Sequence, residues 1–193
     1  DQVAQALALD VQKVRVITPY VGGGFGGKSA SGQALEAARL AQITGKPVQV
    51  AWTRAEEFFN DTFDPAAVVN VGSGIDKDGR IILWDYAVRG AGERGAALFY
   101  DIANARVRAA GRAAYDPAAA GVSLHPFGVG AWRAPGANMN VFAIESQIDI
   151  MAAAAKVDPL AFRMRHLADA RMRRVLQAAA DAFGWQPAVA PSR

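Results

Sequence analysis

Residues 21–30 read VGGGFGGKSA, with five glycines among the seven positions from Val21 to Gly27 and a lysine directly after them. Glycine loses more conformational entropy on folding than any other residue and offers no side chain to pack, so such a cluster marks a place where bare backbone is needed. Set between an apolar run and a helical pattern, a turn of this kind presents successive backbone N–H groups to an anion. The familiar nucleotide-binding versions fit poorly. GGGFGGKS lacks the residues that separate the first glycine from Gly-Lys in a P-loop, and no acidic residue follows a second strand where a dinucleotide fold needs one. Arg133, in AWRAPGAN, is the second candidate: a cation between two glycine-rich stretches.

Other chemistry is thin. The chain has no cysteine, which excludes disulfides, thiolate metal sites and iron-sulfur clusters within it. His125 and His166 are its only histidines, and neither has a second ligand at helical spacing, so no metal site is expected. Glu56 and Glu57 are helical neighbours that cannot face each other as an acid and base pair. Glu145 reads as a helix-surface or helix-start charge. Trp52, Trp84, Trp132 and Trp185 read as core or lobe-interface residues rather than stacking platforms. No catalytic residue is identified in this chain.

The elements that must position the glycine turn and Arg133 follow from periodicity. Residues 2–9 form a short helix, and KVRVITPY (13–20) a strand running into the glycines. SASGQALEAARLAQITGKP is helical, capped by Ser29 or Ser31 and ended at Gly45, with a small-sided stripe of Ala34, Ala37, Ala38 and Ala41 suited to close packing on a sheet. PVQVAWT (47–53) is a strand. Thr53 and Glu56 then form a capping box for the short segment RAEEFFND. DKDG joins AAVVNVGSGI to RIILWDYAV as a hairpin whose buried face holds Ile82, Trp84, Tyr86 and Val88. Residues 89–139 read as short strands and loops. From Val141 the period becomes 3.6, with Val141, Ile144, Ile148, Met151 and Ala155 in one stripe. Two more helices follow, one with Pro159 in its first turn and one closed by Gly184. Mixed strands and helices in the first part and helices in the last make the fold class α+β, in a single domain over residues 1–193.

At 193 residues, 52% of them hydrophobic and in no long run, the chain can bury a sizeable core as a globular, soluble piece. The net charge of +3 is spread out except in RHLADARMRR, whose helical spacing reads as a solvated face, and no nucleic-acid partner is expected. DQVAQALALD is no signal peptide, and it lacks an initial Met, so the chain reads as part of a larger protein.

VGGGFGGK, GKPVQVAWTRAEEF, AWRAPGANMNVFAIESQIDIMA and VDPLAFRMRHL, in this order over residues 1–186, together resemble the molybdenum-binding large subunit of the xanthine dehydrogenase and aldehyde oxidase family. The stretch WRAPGANMNVFAIES is most similar to the isoquinoline 1-oxidoreductase and nicotinate dehydrogenase branch. The resemblance implies a molybdopterin cofactor, either molybdopterin itself or its cytosine dinucleotide, held largely by backbone amides. Gly23, Gly24, Phe25, Gly26, Gly27 and Arg133 would bind it. Phe25 and Gly26 would aim their N–H groups at the molybdenum, and Arg133 would do so from the opposite side. Ser29 and Pro135 would line the substrate pocket.

Purine-oxidising members carry a glutamate directly after Gly-Gly-Lys and an arginine downstream. Here the first position is Ser29 and NDTFDPAAV has no arginine, so the resemblance implies an aldehyde or nitrogen heteroaromatic substrate rather than xanthine. A glutamine upstream of residue 1 and a general-base glutamate in a later domain would complete the site, leaving this piece inactive alone. Implied partners are the remaining molybdenum-binding domains of the same subunit, a small two-iron two-sulfur subunit, a cytochrome acceptor and a small-molecule substrate. Iron-sulfur clusters would lie only in the partner subunit. The compartment, bacterial cytoplasm or periplasm, stays open. Two rival readings remain: a binding or scaffold domain that keeps the fold without cofactor, and a P-loop-like nucleotide binder.

Overall fold

Asp76 makes the hairpin. Its backbone N–H donates to the Arg80 carbonyl (2.9 Å), while its Oδ1 accepts the N–H groups of Asp78 (2.9 Å) and Arg80 (2.8 Å). The Arg80 bond holds the Asp76 carboxyl below the usual carboxylate range. On either side run β1 (Val68–Ile75) and β2 (Ile81–Gly90), antiparallel, and β3 (Ala105–Gly111) joins β2 in parallel, in the order β1-β2-β3. The computed structural model describes residues 1–29, 32–111 and 129–188. Ser31 and His125 lie outside the described residues, as does the side chain of Ser29.

The register corrects one face assignment. Leu83 opposes Gly74, but Ile81 opposes Ile75, so Ile82 is the extra residue of a bulge. Ile81, and not Ile82, therefore joins Trp84, Tyr86 and Val88 on the buried face, and Ile82 is exposed.

The helix α4 (Ala137–Ala154) covers that face. It begins at Ala137 rather than Val141, and its inward stripe is Asn140, Ile144, Ile148, Met151 and Ala152, with Val141 exposed. Asn140 can lie among apolar side chains because its polar atoms are met. Tyr86 Oη donates to its Oδ1 (2.7 Å), and its Nδ2 donates to the carbonyls of Gly92 (3.0 Å) and Arg94 (2.9 Å). Burial pushes the Tyr86 phenol up to about 12, so the hydroxyl remains a donor at neutral pH.

Two capped helices close the core. Asp158 caps α5 (Pro159–His166) by accepting from the Ala161 N–H (2.9 Å), and Asp169 caps α6 (Ala170–Phe183) by accepting from Arg171 (2.7 Å) and Met172 (2.9 Å). Gly184 ends α6 in the left-handed conformation, as the sequence indicates. Glu145 is not the solvated charge expected from sequence. Half-buried, it accepts from Tyr100 Oη (3.0 Å) and Arg163 Nε (2.8 Å), and Arg163 also reaches Asp149 (2.5 Å). RHLADARMRR is likewise only partly solvated. Arg165 donates to the Asp78 carbonyl (3.0 Å), Arg173 donates to those of Met164 and Leu167, and His166 is buried.

His166 joins α5 to the sheet. Its Nε2 accepts the Ile81 N–H (3.0 Å) while Nδ1 faces the Phe162 carbonyl (2.8 Å), so the proton sits on Nδ1 and the ring is neutral. Burial holds its pKa below that of an exposed imidazole. The unfolded chain therefore takes up this proton at a higher pH than the folded one. The stabilisation is complete above the ordinary imidazole value and is lost as the pH falls through the lowered folded value. Melting temperatures taken between about pH 5 and pH 8 should fall on the acid side, and His166→Gln should flatten that slope. An unchanged slope in the variant would count against the assignment.

Two expected strands do not form. Val11–Lys13 is a short 3-10 turn capped by Asp10, and residues 14–20 continue irregular and largely exposed, with Val16 66% and Ile17 73% accessible. Residues 47–53 are also irregular. Both runs have strand-forming composition, but a strand exists through its ladder, and neither finds a neighbour among the described residues. Among the described residues the alanine stripe of α2 (Gly32–Thr44) likewise packs on no sheet, and none of the helix is buried. That helix instead packs with α1 (Gln2–Leu7), where Gln42 Nε2 donates to the Leu7 carbonyl (3.4 Å). The capping box of α3 (Arg54–Asn60) forms as expected. Helices flanking a small sheet confirm the α+β class.

Candidate functional site

The glycine turn closes on itself through a bond from the Gly27 N–H to the Gly24 carbonyl (3.0 Å). Within it Phe25 has a φ of 50° and Gly26 a φ of 103°, and the chain then enters a 3-10 turn over Gly27–Ser29. Gly26 is where the missing side chain matters. A Cβ built there would lie 1.9 Å from the Ala131 oxygen and 2.9 Å from the Trp132 nitrogen. Two backbones thus touch directly, and only glycine permits it. The exposed Phe25 ring lies over Gly23, and the Arg133 guanidinium carbon sits 5.6 Å from its centroid. The structure therefore brings the glycine turn and Arg133 together. Pro135 is half-buried in the same second loop, whose Ala134 also has a positive φ, 51°. Only the backbone of Ser29 can be placed, at the end of the 3-10 turn.

Sequence reasoning missed the segment that supports both loops. After α3, Asp61 accepts the Thr62 N–H (2.8 Å), and its Oδ2 lies 3.5 Å from the position of a Cβ on Gly27. The Thr62 carbonyl accepts from Trp132 Nε1 (3.1 Å), the Phe63 carbonyl accepts from the Gly130 N–H (3.0 Å), and Asp64 accepts from Asn138 Nδ2 (3.4 Å). Thr62 packs so tightly on Gly130 that a Cβ there would fall 2.1 Å from its Oγ1. The two bonds that tie this segment to the backbone of Gly130 and the Trp132 ring end on backbone carbonyls, which leave no side-chain pattern. Gly130, just ahead of the Ala131–Gly136 stretch, is the single residue that could have signalled a close approach.

This arrangement can hold an anion but has no acid and base pair of its own. No group of three or more His, Cys, Asp or Glu able to hold a metal exists among the described residues. What the two loops offer is bare backbone and two cations, Lys28 and Arg133. A phosphate-bearing pterin cofactor would call for N–H donors and positive charge, which the glycine turn, Lys28 and Arg133 would supply. The residues present fit that group. Two facing loops each hold a non-glycine residue at positive φ, a costly conformation that recurs at ligand sites.

A groove of about 410 Å³ lies elsewhere, beneath α6, lined by Phe99, Leu167, Met172 and Leu176 with Tyr100, Glu145 and Arg163 at its polar end. Those three polar side chains already bond one another, and burial with the Glu145 charge raises the Tyr100 pKa. No helix among the described residues is long and apolar enough to cross a membrane.

The profile of the molybdopterin cofactor-binding domain family matches residues 1–167. The aldehyde oxidoreductase molybdenum-binding subunit PaoC of Escherichia coli K12 is 30% identical over 196 residues, spanning 95% of this chain and 27% of that protein. Isoquinoline 1-oxidoreductase subunit beta of Brevundimonas diminuta is 30% identical over 195 residues, spanning 95% of this chain and 25% of that protein. Quinoline 2-oxidoreductase from Pseudomonas putida 86 shares the fold with a TM-score of 0.77 at 19% identity, over 95% of this chain and 26% of that one. The chain therefore spans about a quarter of the length of these relatives.

Proposed function

The chain belongs to the molybdopterin cofactor-binding domain family, and from that premise we propose that it forms one wall of the cofactor site in a larger bacterial molybdenum hydroxylase. The observation that carries this is the backbone contact of Gly26 with Ala131 and Trp132, which joins a glycine turn to the Arg133 loop in one cradle. Gly23, Gly24, Phe25, Gly26, Gly27 and Arg133 would hold the cofactor, and Ser29 and Pro135 would edge the substrate pocket.

When bound, the molybdenum centre supplies a two-electron oxidation. An aldehyde R–CHO and water become R–COOH, or a heteroaromatic C–H and water become C–OH, with two electrons and two protons released. The residues of this chain bind and orient. Their backbone N–H groups, fixed in place by the contact between the two loops, would hold and orient the cofactor with little reorganisation. The proton-accepting glutamate would come from another domain of the subunit. Electrons would pass to a small two-iron two-sulfur subunit and on to a cytochrome. The names of the relatives, an aldehyde oxidoreductase and an isoquinoline 1-oxidoreductase, support the choice of substrate classes.

The test is purification of the full-length subunit with its co-encoded partners. Elemental analysis should find about one molybdenum per subunit, and turnover of benzaldehyde or isoquinoline in 18O-labelled water should place the label in the product. A protein free of both molybdenum and pterin, from a host that fills other enzymes of the family, would support the scaffold reading instead.

A further inference from the structure

We propose that the Arg133 side chain is a positioning residue, a latch whose guanidinium on the Phe25 ring holds the Phe25–Gly26 turn in shape before any ligand arrives. This rests on the reading of the two loops as a cofactor cradle, and adds a role for a side chain where that reading used only the backbone.

Phe25 has reason to need a latch. Its φ of 50° is unfavourable for a residue with a Cβ, and the residue is 71% exposed, so burial within this chain does not hold it. Gly26 follows at a φ of 103° in direct backbone contact with Ala131. If Phe25 relaxed to a negative φ, the next peptide would swing and that contact would open. The guanidinium carbon lies 5.6 Å from the Phe25 ring centroid, inside the range at which a cation is drawn to the face of an aromatic ring. Arg133 is itself anchored on both sides. Trp132 is tied through Nε1 to the Thr62 carbonyl, and Gly136 opens α4, which is rooted in the core through Asn140. The latch thus couples a strained turn to a well-fixed loop.

The experiment is hydrogen exchange on the full-length subunit, with and without cofactor, read on a peptide covering residues 22–29. Arg133→Met should speed exchange there about two- to fivefold, the loss expected of one exposed cation–π contact, and Arg133→Lys should restore part of it. Phe25→Leu, which keeps the Cβ and the strain but removes the ring, should loosen the same peptide. Arg133→Met added to Phe25→Leu should then do little more. Unchanged exchange in Arg133→Met, or a full additional effect in the Phe25→Leu background, would overturn the latch. Exchange in the cofactor-free protein reports on the latch even if the cofactor reading fails. Absence of molybdenum from the unaltered subunit would sink that reading without touching the coupling.

Discussion

Gly26→Ala is expected to cut turnover of the full-length enzyme about 100-fold and to lower its molybdenum content, while the protein stays folded. Two effects act together. The added Cβ would meet the Ala131 oxygen at 1.9 Å, far inside any real contact, and the φ of 103° is one that alanine adopts only under strain. One loop must therefore retreat by about 1 Å or more from the other, and a displacement of that size at a reacting centre costs roughly 100-fold in rate. Gly22→Ala supplies the contrast, because a Cβ there has nothing within 4 Å. Molybdenum analysis and steady-state kinetics on the two variants check the assignment. Equal behaviour of both would remove the contact from the site.

Asn140→Leu should give the largest loss of stability. Leucine keeps the branched heavy-atom outline of asparagine but is bulkier and cannot hydrogen-bond, so lost bonds and tighter packing act in the same direction. It strands the Tyr86 hydroxyl and the carbonyls of Gly92 and Arg94, all served by Asn140. Each buried polar group left unpaired costs about 1–3 kcal/mol, so a combined loss of about 3 kcal/mol is expected. Amide exchange in β2 and α4 of the full-length subunit should speed up by roughly two orders of magnitude. Tyr86→Phe removes one donor and should cost about 1 kcal/mol. A change of less than that in Asn140→Leu would show that the three partners find other bonds.

What the sequence revealed were features decided within a few residues. The Asp76 turn, the Thr53 capping box and the Gly184 helix end are each set by local bonds, and each is in place. The glycine turn and Arg133 stood out because five glycines in seven positions and an arginine between glycine-rich stretches are unusual in any fold. Features that depend on distant partners were misread. Val14, Val16 and Thr18 have the alternation of a strand, yet no neighbour pairs with them among the described residues. Ile82 was placed inward because alternation cannot show a bulge. Asn140 carried no signal in the sequence, although its three bonds let it be the most deeply placed polar residue of α4. The Asp61–Asp64 support was missed because two of its bonds end on carbonyls, which carry no letter of their own, and its side-chain contacts join residues distant in sequence.

The run from Val14 to Val21 has a practical consequence. It sets β-branched side chains and the exposed Tyr20 beside a backbone with no ladder partner among the described residues. An apolar, strand-forming run that is exposed and unpaired favours self-association with other extended chains. Cloned by itself, the segment is set to collect in inclusion bodies, and charged replacements at Val16 and Ile17 would be the first step towards a soluble preparation.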